Sequence, residues 1–302
     1  MQIHLFGSST GSGESFRRLV LSSCSEYSLF LYSRQNPSSE STIHYADFTK
    51  PSTFFPAGDP GAPCVWISFG PLSHFSTFVE TLHREYPERL LGLQAIVACS
   101  SSSVLSKRFS FNRSDQELSS RLLDAENKLL SISQLAGLRC CIIRPTIIYG
   151  NISTYPDRNL SRIVSLLSFL PVIPFPSRSG LRQPIHVSQL ASVVLQLSRK
   201  LMIGPSECFP PERISIGGDT TLTYESMIRS LQASQSSSHG ARRCYLFLVP
   251  NRLFYFLLSP ILLFSPKLYD ALLRIGANLS GFTPSHQLLN SHPKPFPLPS
   301  IR

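Results

Sequence analysis

Paired cysteines, acidic residues and long apolar runs are all in short supply in this 302-residue chain, and each shortage removes a class of protein. The seven cysteines, Cys24, Cys64, Cys99, Cys140, Cys141, Cys208 and Cys244, are odd in number, lie mostly in apolar runs and form no C-x-x-C pair. Neither a disulfide framework nor a zinc ribbon fits that usage; reduced thiols, a cytoplasmic setting and no metal site are expected. Acidic residues number 18 against 28 Lys and Arg, a formal net charge of +10. Such an excess favours phosphate-bearing ligands, nucleic acid or an anionic membrane surface. The basic residues are scattered, however, without a basic run or an aromatic-interleaved stripe, so no nucleic-acid partner is expected.

No apolar run reaches the roughly 20 residues that cross a bilayer. The most apolar stretch, Leu253 to Phe264, is shorter and carries Pro260 in its middle, and the wider window Cys244 to Tyr269 contains Asn251, Arg252, Pro250, Pro260 and Pro266. A buried or lid helix is the first reading there, a membrane-surface patch the second and a span the last. No basic segment or cleavable apolar stretch precedes the first strand, so no signal peptide is expected. Internal repeats are absent, and the one low-complexity piece, Ser234 to Ser238, reads as a loop.

What is present is an alternation of strand and helix. Apolar residues make up 42% of the chain, which excludes wholesale disorder and supplies a sizeable core. Ile3 to Phe6, Ser28 to Tyr32, Ser41 to Ala46, Cys64 to Phe69, Leu93 to Ala98 and Arg139 to Ile148 read as strands. Helix-compatible segments separate them at Phe16 to Leu21, Phe75 to Leu91 and Gln116 to Gln134. Runs apolar on both faces, spaced by helices, belong to a parallel sheet covered on both sides. The expected fold is α/β, a Rossmann-type doubly wound parallel sheet over residues 1–150, with 151–302 a smaller, interleaved α/β substrate lobe. In that lobe, helices fit Asn159 to Phe169, Val187 to Leu201 and Tyr224 to Gln232, with loops at Pro171 to Arg178 and Pro205 to Pro211.

The first strand runs into Gly7-Ser8-Ser9-Thr10-Gly11-Ser12-Gly13 and then a helix. Glycine lets backbone turn tightly and approach a pyrophosphate, while the helix aims unpaired N–H groups and its positive end at the phosphates. The spacing, G-x-x-x-G-x-G, differs from the commoner G-x-G-x-x-G.

Gly7 to Gly13, Ile96 to Val104, Arg144 to Gly150, Leu181 to Val187 and Ile214 to Tyr224, taken in order, resemble the extended short-chain dehydrogenase/reductase superfamily, especially its NAD-dependent epimerase/dehydratase branch. The resemblance covers nearly the whole chain. It implies that Gly7, Gly11 and Gly13, with the hydroxyls of Ser9 and Thr10, hold a dinucleotide pyrophosphate. It places Arg34 beside the adenosine ribose, where no acid stands; a guanidinium there pairs with a 2′-phosphate, so NADP is favoured over NAD. Asp47 would accept from the adenine amino group, with an ordinary turn aspartate the alternative. Asn159 and Arg182 would contact a substrate diphosphate, Ser101, or Ser102 in its stead, would be the catalytic serine, and His186 would be structural.

One departure limits what the resemblance implies. In the family a tyrosine four residues before a lysine, on the helix after the serine strand, moves the proton. Here that helix, Asp115 to Lys128, contains no tyrosine; Glu117 and Arg121 stand nearest the pair's places. The expectation is an NAD(P)-dependent, epimerase/dehydratase-like oxidoreductase acting on a nucleotide sugar or related polar small molecule by hydride transfer, with its proton carrier unassigned. The alternatives are a non-catalytic NADP-binding scaffold or redox sensor and a membrane-associated reductase of a lipid-like substrate. The resemblance also suggests a homodimer.

Overall fold

Continuous apolar runs become the central strands because only a strand buried on both faces needs them. The structure, a computed structural model, describes residues 1–24, 26–34, 43–110, 112–152, 155, 157, 159–203 and 209–298. The first half comprises β1 (Gln2–Phe6), α1 (Gly11–Ser23), β2 (Ser28–Ser33), β3 (Ile43–Tyr45), β4 (Cys64–Ser68), α2 (Leu72–Glu85), β5 (Leu93–Cys99), α3 (Ser103–Ser106), α4 (Arg113–Leu135) and β6 (Arg139–Pro145). There follow β7 (Ile148–Tyr149), α5 (Leu160–Phe169), β8 (Val172–Pro176), β9 (Leu181–Arg182), β10 (Ile185–His186), α6 (Val187–Ile203) and β11 (Arg213–Gly217). The remainder is β12 (Leu222–Thr223), α7 (Tyr224–Ala233), α8 (Gly240–Arg243), β13 (Tyr245–Val249), α9 (Asn251–Leu258), α10 (Ile261–Phe264), α11 (Pro266–Leu273), β14 (Thr283–Pro284) and α12 (Ser285–Leu289).

Eight strands form one sheet in the order β14-β11-β6-β5-β4-β1-β2-β3, every neighbour parallel. The chain winds outward from β1 to β3, then returns to β4 and winds the other way. That reversal between β1 and β4 is the switch point of a doubly wound, Rossmann-type sheet, and it opens a crevice at the strands' carboxyl ends. Alternate residues build the two faces. Ile3, Leu5, Val65, Ile67 and Val97 pack with Phe16 of α1 and Val194 of α6. Phe6, Tyr32, Trp66 and Ile96 pack on the other face with Phe75 and Phe78 of α2 and Leu129 of α4.

Residues beyond 150 also complete the sheet, through β11 and β14, and cover it, through α6. The rest of them gather around a separate apolar centre that includes Leu167, Phe175, Ile228, Ala241 and Leu246.

Three expectations need correction. Pro171 to Arg178 is not all loop: Val172–Pro176 is β8, paired in parallel with β13 in a two-stranded sheet whose free edge tolerates the missing N–H groups of Pro174 and Pro176. The strand expected over Arg139 to Ile148 ends at Pro145, and β7 pairs with β10 instead. Leu253 to Phe264 is two short helices interrupted before Ile261, as Pro260 predicts by lacking an N–H, and it is not buried: Phe256, Leu263 and Phe264 are 73%, 85% and 88% exposed.

Of the expected third strand, Ser41 and Thr42 lie outside the described residues, as do Cys208 and most of the Pro205 to Pro211 loop. The six described cysteines are free thiols. No helix among the described residues is long and apolar enough to cross a membrane.

Candidate functional site

The glycine turn lies at the switch point, and its three glycines do three different things. Gly7 has φ +78°, and a Cβ there would lie 2.8 Å from the Gly70 nitrogen, so the turn between β1 and α1 requires glycine. At Gly13 a Cβ would stand 2.3 Å from the Gly7 carbonyl oxygen, so the absence of a side chain seats α1 against the end of β1. Gly11 faces open space; a Cβ there meets only Tyr155 Cβ, at 3.7 Å.

Thr10 caps α1. Its hydroxyl accepts from the Gly13 N–H at 3.0 Å and donates to the Gly7 carbonyl at 2.8 Å. The N–H groups of Gly11 and Ser12 then have no partner among the described residues, which leaves the positive end of the helix open. Glu14, the acid of that first turn, is ion-paired to Arg17 and Arg18, which hold its carboxyl below the usual carboxylate range despite burial.

Two cavities meet at this turn, sharing Ser9, Thr10, Gly70 and Pro71. The smaller, about 240 Å³, is lined by Gly7, Ser33, Arg34, Asp47 and Phe48. Asp47 is a turn aspartate, with Thr49 donating to Oδ1 from its N–H (2.9 Å) and its hydroxyl (2.8 Å), and it also lines the cavity. Those two bonds, with a smaller contribution from Arg34, hold Asp47 below the usual carboxylate range. Arg34 is exposed.

The larger cavity, about 640 Å³, runs from Ser9 and Gly11 past Cys99, Ser100 and Leu122 to Tyr149 and Asn159. Ser101 and Ser102 are not in its lining. The Ser101 hydroxyl donates to Ser103 Oγ at 3.0 Å and accepts from the Ser103 N–H at 3.1 Å, opening α3. Ser100 lines the cavity in their place; its N–H continues the β5–β6 ladder onto the Ile143 carbonyl, and that of Ser102 reaches the Pro145 carbonyl. Its hydroxyl donates to Glu126 Oε1 at 2.5 Å. Glu126 is fully buried on α4 and also accepts two bonds from Arg144 Nε, at 2.9 and 3.1 Å, and one from Arg144 Nη2. Arg213 approaches the same carboxylate at 3.4 Å.

The α4 residue in the cavity lining is Leu122; Glu126, one turn on, is buried behind Ser100. Glu117 and Arg121, nearest the tyrosine and lysine places by sequence, are exposed on the helix's outer side, with Glu117 paired to Arg113 at 3.1 Å. The helix period that puts Leu122 inward turns both outward.

Other ionisable groups in the lining have settled partners or stay neutral. Asp157 accepts from the N–H groups of Gly150, Asn159 and Leu160 and anchors the start of α5. Burial pushes the Tyr149 phenol up to about 12, and its oxygen accepts from the Leu298 N–H at 3.1 Å. Burial likewise raises the Cys99 thiol.

Asn159 lines the larger cavity, with its side-chain amide donating to the Ile148 carbonyl at 2.8 Å. Arg182 does not line either cavity. It is buried, donates to the Leu181 and Ala277 carbonyls at 2.7 and 2.5 Å and to the Arg274 carbonyl, and stacks 4.7 Å from the Tyr224 ring centroid. This guanidinium pins the C-terminal segment and leaves no fork for a substrate diphosphate. His186 is buried beneath Gly150 and edge-on to Tyr149, with its ring pKa lowered by burial to about 4.

Sequence reasoning missed Ser100, Leu122, Glu126, Tyr155 and Asp157. Only the Ser100 to Ser103 run signalled the first of them. No group of side chains able to hold a metal ion occurs among the described residues.

The class that the structure defines is a doubly wound α/β fold with a glycine turn at the switch point of its sheet. Comparison with solved structures agrees. The UDP-glucuronic acid 4-epimerase of Bacillus cereus, solved with NAD, superposes with a TM-score of 0.60 at 12% identity, over 98% of this chain and 94% of that one. A human epimerase family protein solved with NADPH gives 0.60 at 10% identity, over 99% and 96%. The dTDP-glucose 4,6-dehydratase of Bacillus anthracis, solved with NAD, gives 0.53 at 15%, over 82% and 87%. At these identities the likeness is one of fold. No protein-family model matches the chain, and no curated protein does.

Proposed function

We propose that this chain binds a nicotinamide dinucleotide across the two joined cavities, NADP in preference to NAD, and transfers hydride to or from a nucleotide sugar or related polar substrate. The observation that carries the reading is the Gly7 to Gly13 turn, where a Cβ fits at neither Gly7 nor Gly13, with Gly11 and Ser12, whose N–H groups are free, lining the larger cavity.

The residues fit the group. Gly11 and Ser12 would hold the pyrophosphate, Asp47 and Phe48 would face the adenine, and the exposed guanidinium of Arg34 would pair with a 2′-phosphate. When bound, the nicotinamide supplies hydride chemistry at the larger cavity. Ser100, its own proton committed to Glu126, faces that cavity as an acceptor and would hold and orient a substrate hydroxyl. Asn159 and the start of α5 would meet the substrate's polar end.

A second reading, NADP binding without turnover, is favoured by one observation: the residue that α4 presents to the cavity is Leu122, which carries no proton. One preparation separates the two. NADPH emission should rise on binding, and the NADP-loaded protein should change absorbance or product stereochemistry with some member of a nucleotide-sugar panel. Tight cofactor binding with no turnover on any sugar leaves the scaffold reading; no binding of either dinucleotide removes both.

A further inference from the structure

Among the described residues, most large apolar side chains left in solvent lie between Leu166 and Leu268. A globular chain rarely leaves such side chains clustered without a partner. On α9, Leu253, Phe256 and Leu257 are spaced three and four apart, so they form one stripe, and all three are exposed while Phe254 on the other side is buried. Pro260 then breaks the helix, and α10 carries Leu263 and Phe264 almost wholly into solvent. On the neighbouring β13, Phe247 points outward as well.

Charge identifies the partner. The stretch Gly240 to Tyr269 contains Arg242, Arg243, Arg252 and Lys267 and no acidic residue. A two-fold contact with a second copy would set this like-charged stretch against itself, with nothing inside it to neutralise the repulsion. The surface of an anionic bilayer meets both requirements: acyl chains take the aromatic and leucine side chains while headgroups take the guanidinium groups. These helices are too short to span, so the contact is interfacial. We infer that the exposed apolar face of α9 and α10 docks the protein on an anionic lipid surface.

The test is co-sedimentation of the full chain with phosphatidylcholine vesicles with and without phosphatidylglycerol. Binding should require phosphatidylglycerol and weaken with salt. Replacing Leu263 and Phe264 together by Ser should lower partition by at least about tenfold. Arg242→Gln with Arg243→Gln should cost about 25-fold on anionic vesicles, about fivefold for each cation lost. Leu135→Ser, which alters an equally exposed leucine at the end of α4, should change nothing.

Circular dichroism confirms that each variant is folded. A Phe264→Trp variant gives an independent readout: its emission should shift to the blue on anionic vesicles, against a constant background from the buried Trp66. Absence of partition to anionic vesicles overturns the inference. So does partition that survives the Leu263 and Phe264 replacement, or a dimer in sedimentation that the same replacement dissolves.

Discussion

Substituting alanine at Gly13 and at Gly11 separates two roles that the sequence pattern treats alike. At Gly13 the new Cβ would stand 2.3 Å from the Gly7 oxygen and 2.9 Å from Ser8 Cα, both backbone atoms that cannot rotate away. Restoring ordinary contact moves the start of α1 off β1 by about 1 Å, and overpacking of this kind costs roughly 1–3 kcal/mol. Alanine's helix propensity returns about 1 kcal/mol. The net is a loss of up to about 2 kcal/mol, a Tm lower by up to about 3 °C in a chain of this size. NADPH affinity should fall at least about tenfold, because the displaced turn carries the Gly11 and Ser12 N–H groups with it. At Gly11 the nearest atom is at an ordinary 3.7 Å. Gly11→Ala should therefore leave Tm unchanged or raise it, through an effect of about 0.4–1 kcal/mol on the unfolded chain, while weakening NADPH by placing a methyl group where the pyrophosphate approaches. Thermal melts and NADPH fluorescence titrations read both quantities. Equal destabilisation by the two substitutions, or full NADPH affinity in Gly13→Ala, would refute the assignment of roles.

Arg34→Ala should weaken NADPH by about 10- to 100-fold, from the loss of one charge-assisted contact of about 1.5–3 kcal/mol, and leave NADH within a few-fold; parallel losses would remove Arg34 from the 2′-phosphate. Glu126→Ala strands the Arg144 guanidinium, which is only 11% exposed, and should destabilise the fold by about 3–5 kcal/mol in urea titrations. A cost below about 1 kcal/mol would show that the cluster is not held by this carboxylate. Burial lowers His4 and His186 from 6.5 to about 4, so the folded protein keeps both rings neutral while the unfolded chain protonates them. Stability should thus be fully present above about pH 7 and fall as pH drops through 6.5 towards 4, by up to about 3 kcal/mol for each ring. A urea midpoint that stays flat across that window would contradict it.

Features set by local backbone and by apolar burial were legible in the sequence. The glycine turn and the strands from Leu93 and Cys64 announce themselves because a positive φ and a doubly buried strand restrict the residues that fit. The register of the residues that line the larger cavity was not. Four consecutive serines carry no periodic cue, and what sets Ser100 apart is its bond to Glu126, a residue on another element. The inward side of α4 was hidden for a similar reason: Glu126 reads as a surface acid until Arg144 and Arg213, distant in sequence, are brought to it. Arg182 illustrates the reverse error. A guanidinium suits a diphosphate or a set of carbonyls equally well, and only the path of residues 274–277 decides that it meets carbonyls. Apolarity alone also left open which way Leu253 to Phe264 would face.

The cavity wall explains why the missing tyrosine and lysine form one departure and not two. Glu126 lies where α4 meets β6, one turn after Leu122, and neutralises Arg144 and Arg213 in a site sealed from solvent. An ammonium in its place would add a third cation to two guanidinium groups, so a lysine cannot stand there while those arginines remain. Without that cation, a phenol at 122 would have nothing beside it to lower its pKa and would stay protonated at neutral pH. Leucine at 122, which has no proton to give, is compatible with a carboxylate at 126. With no proton on Leu122, the α4 side of this cavity reaches an ionisable group through Ser100, whose hydroxyl bridges the cavity to the buried carboxylate.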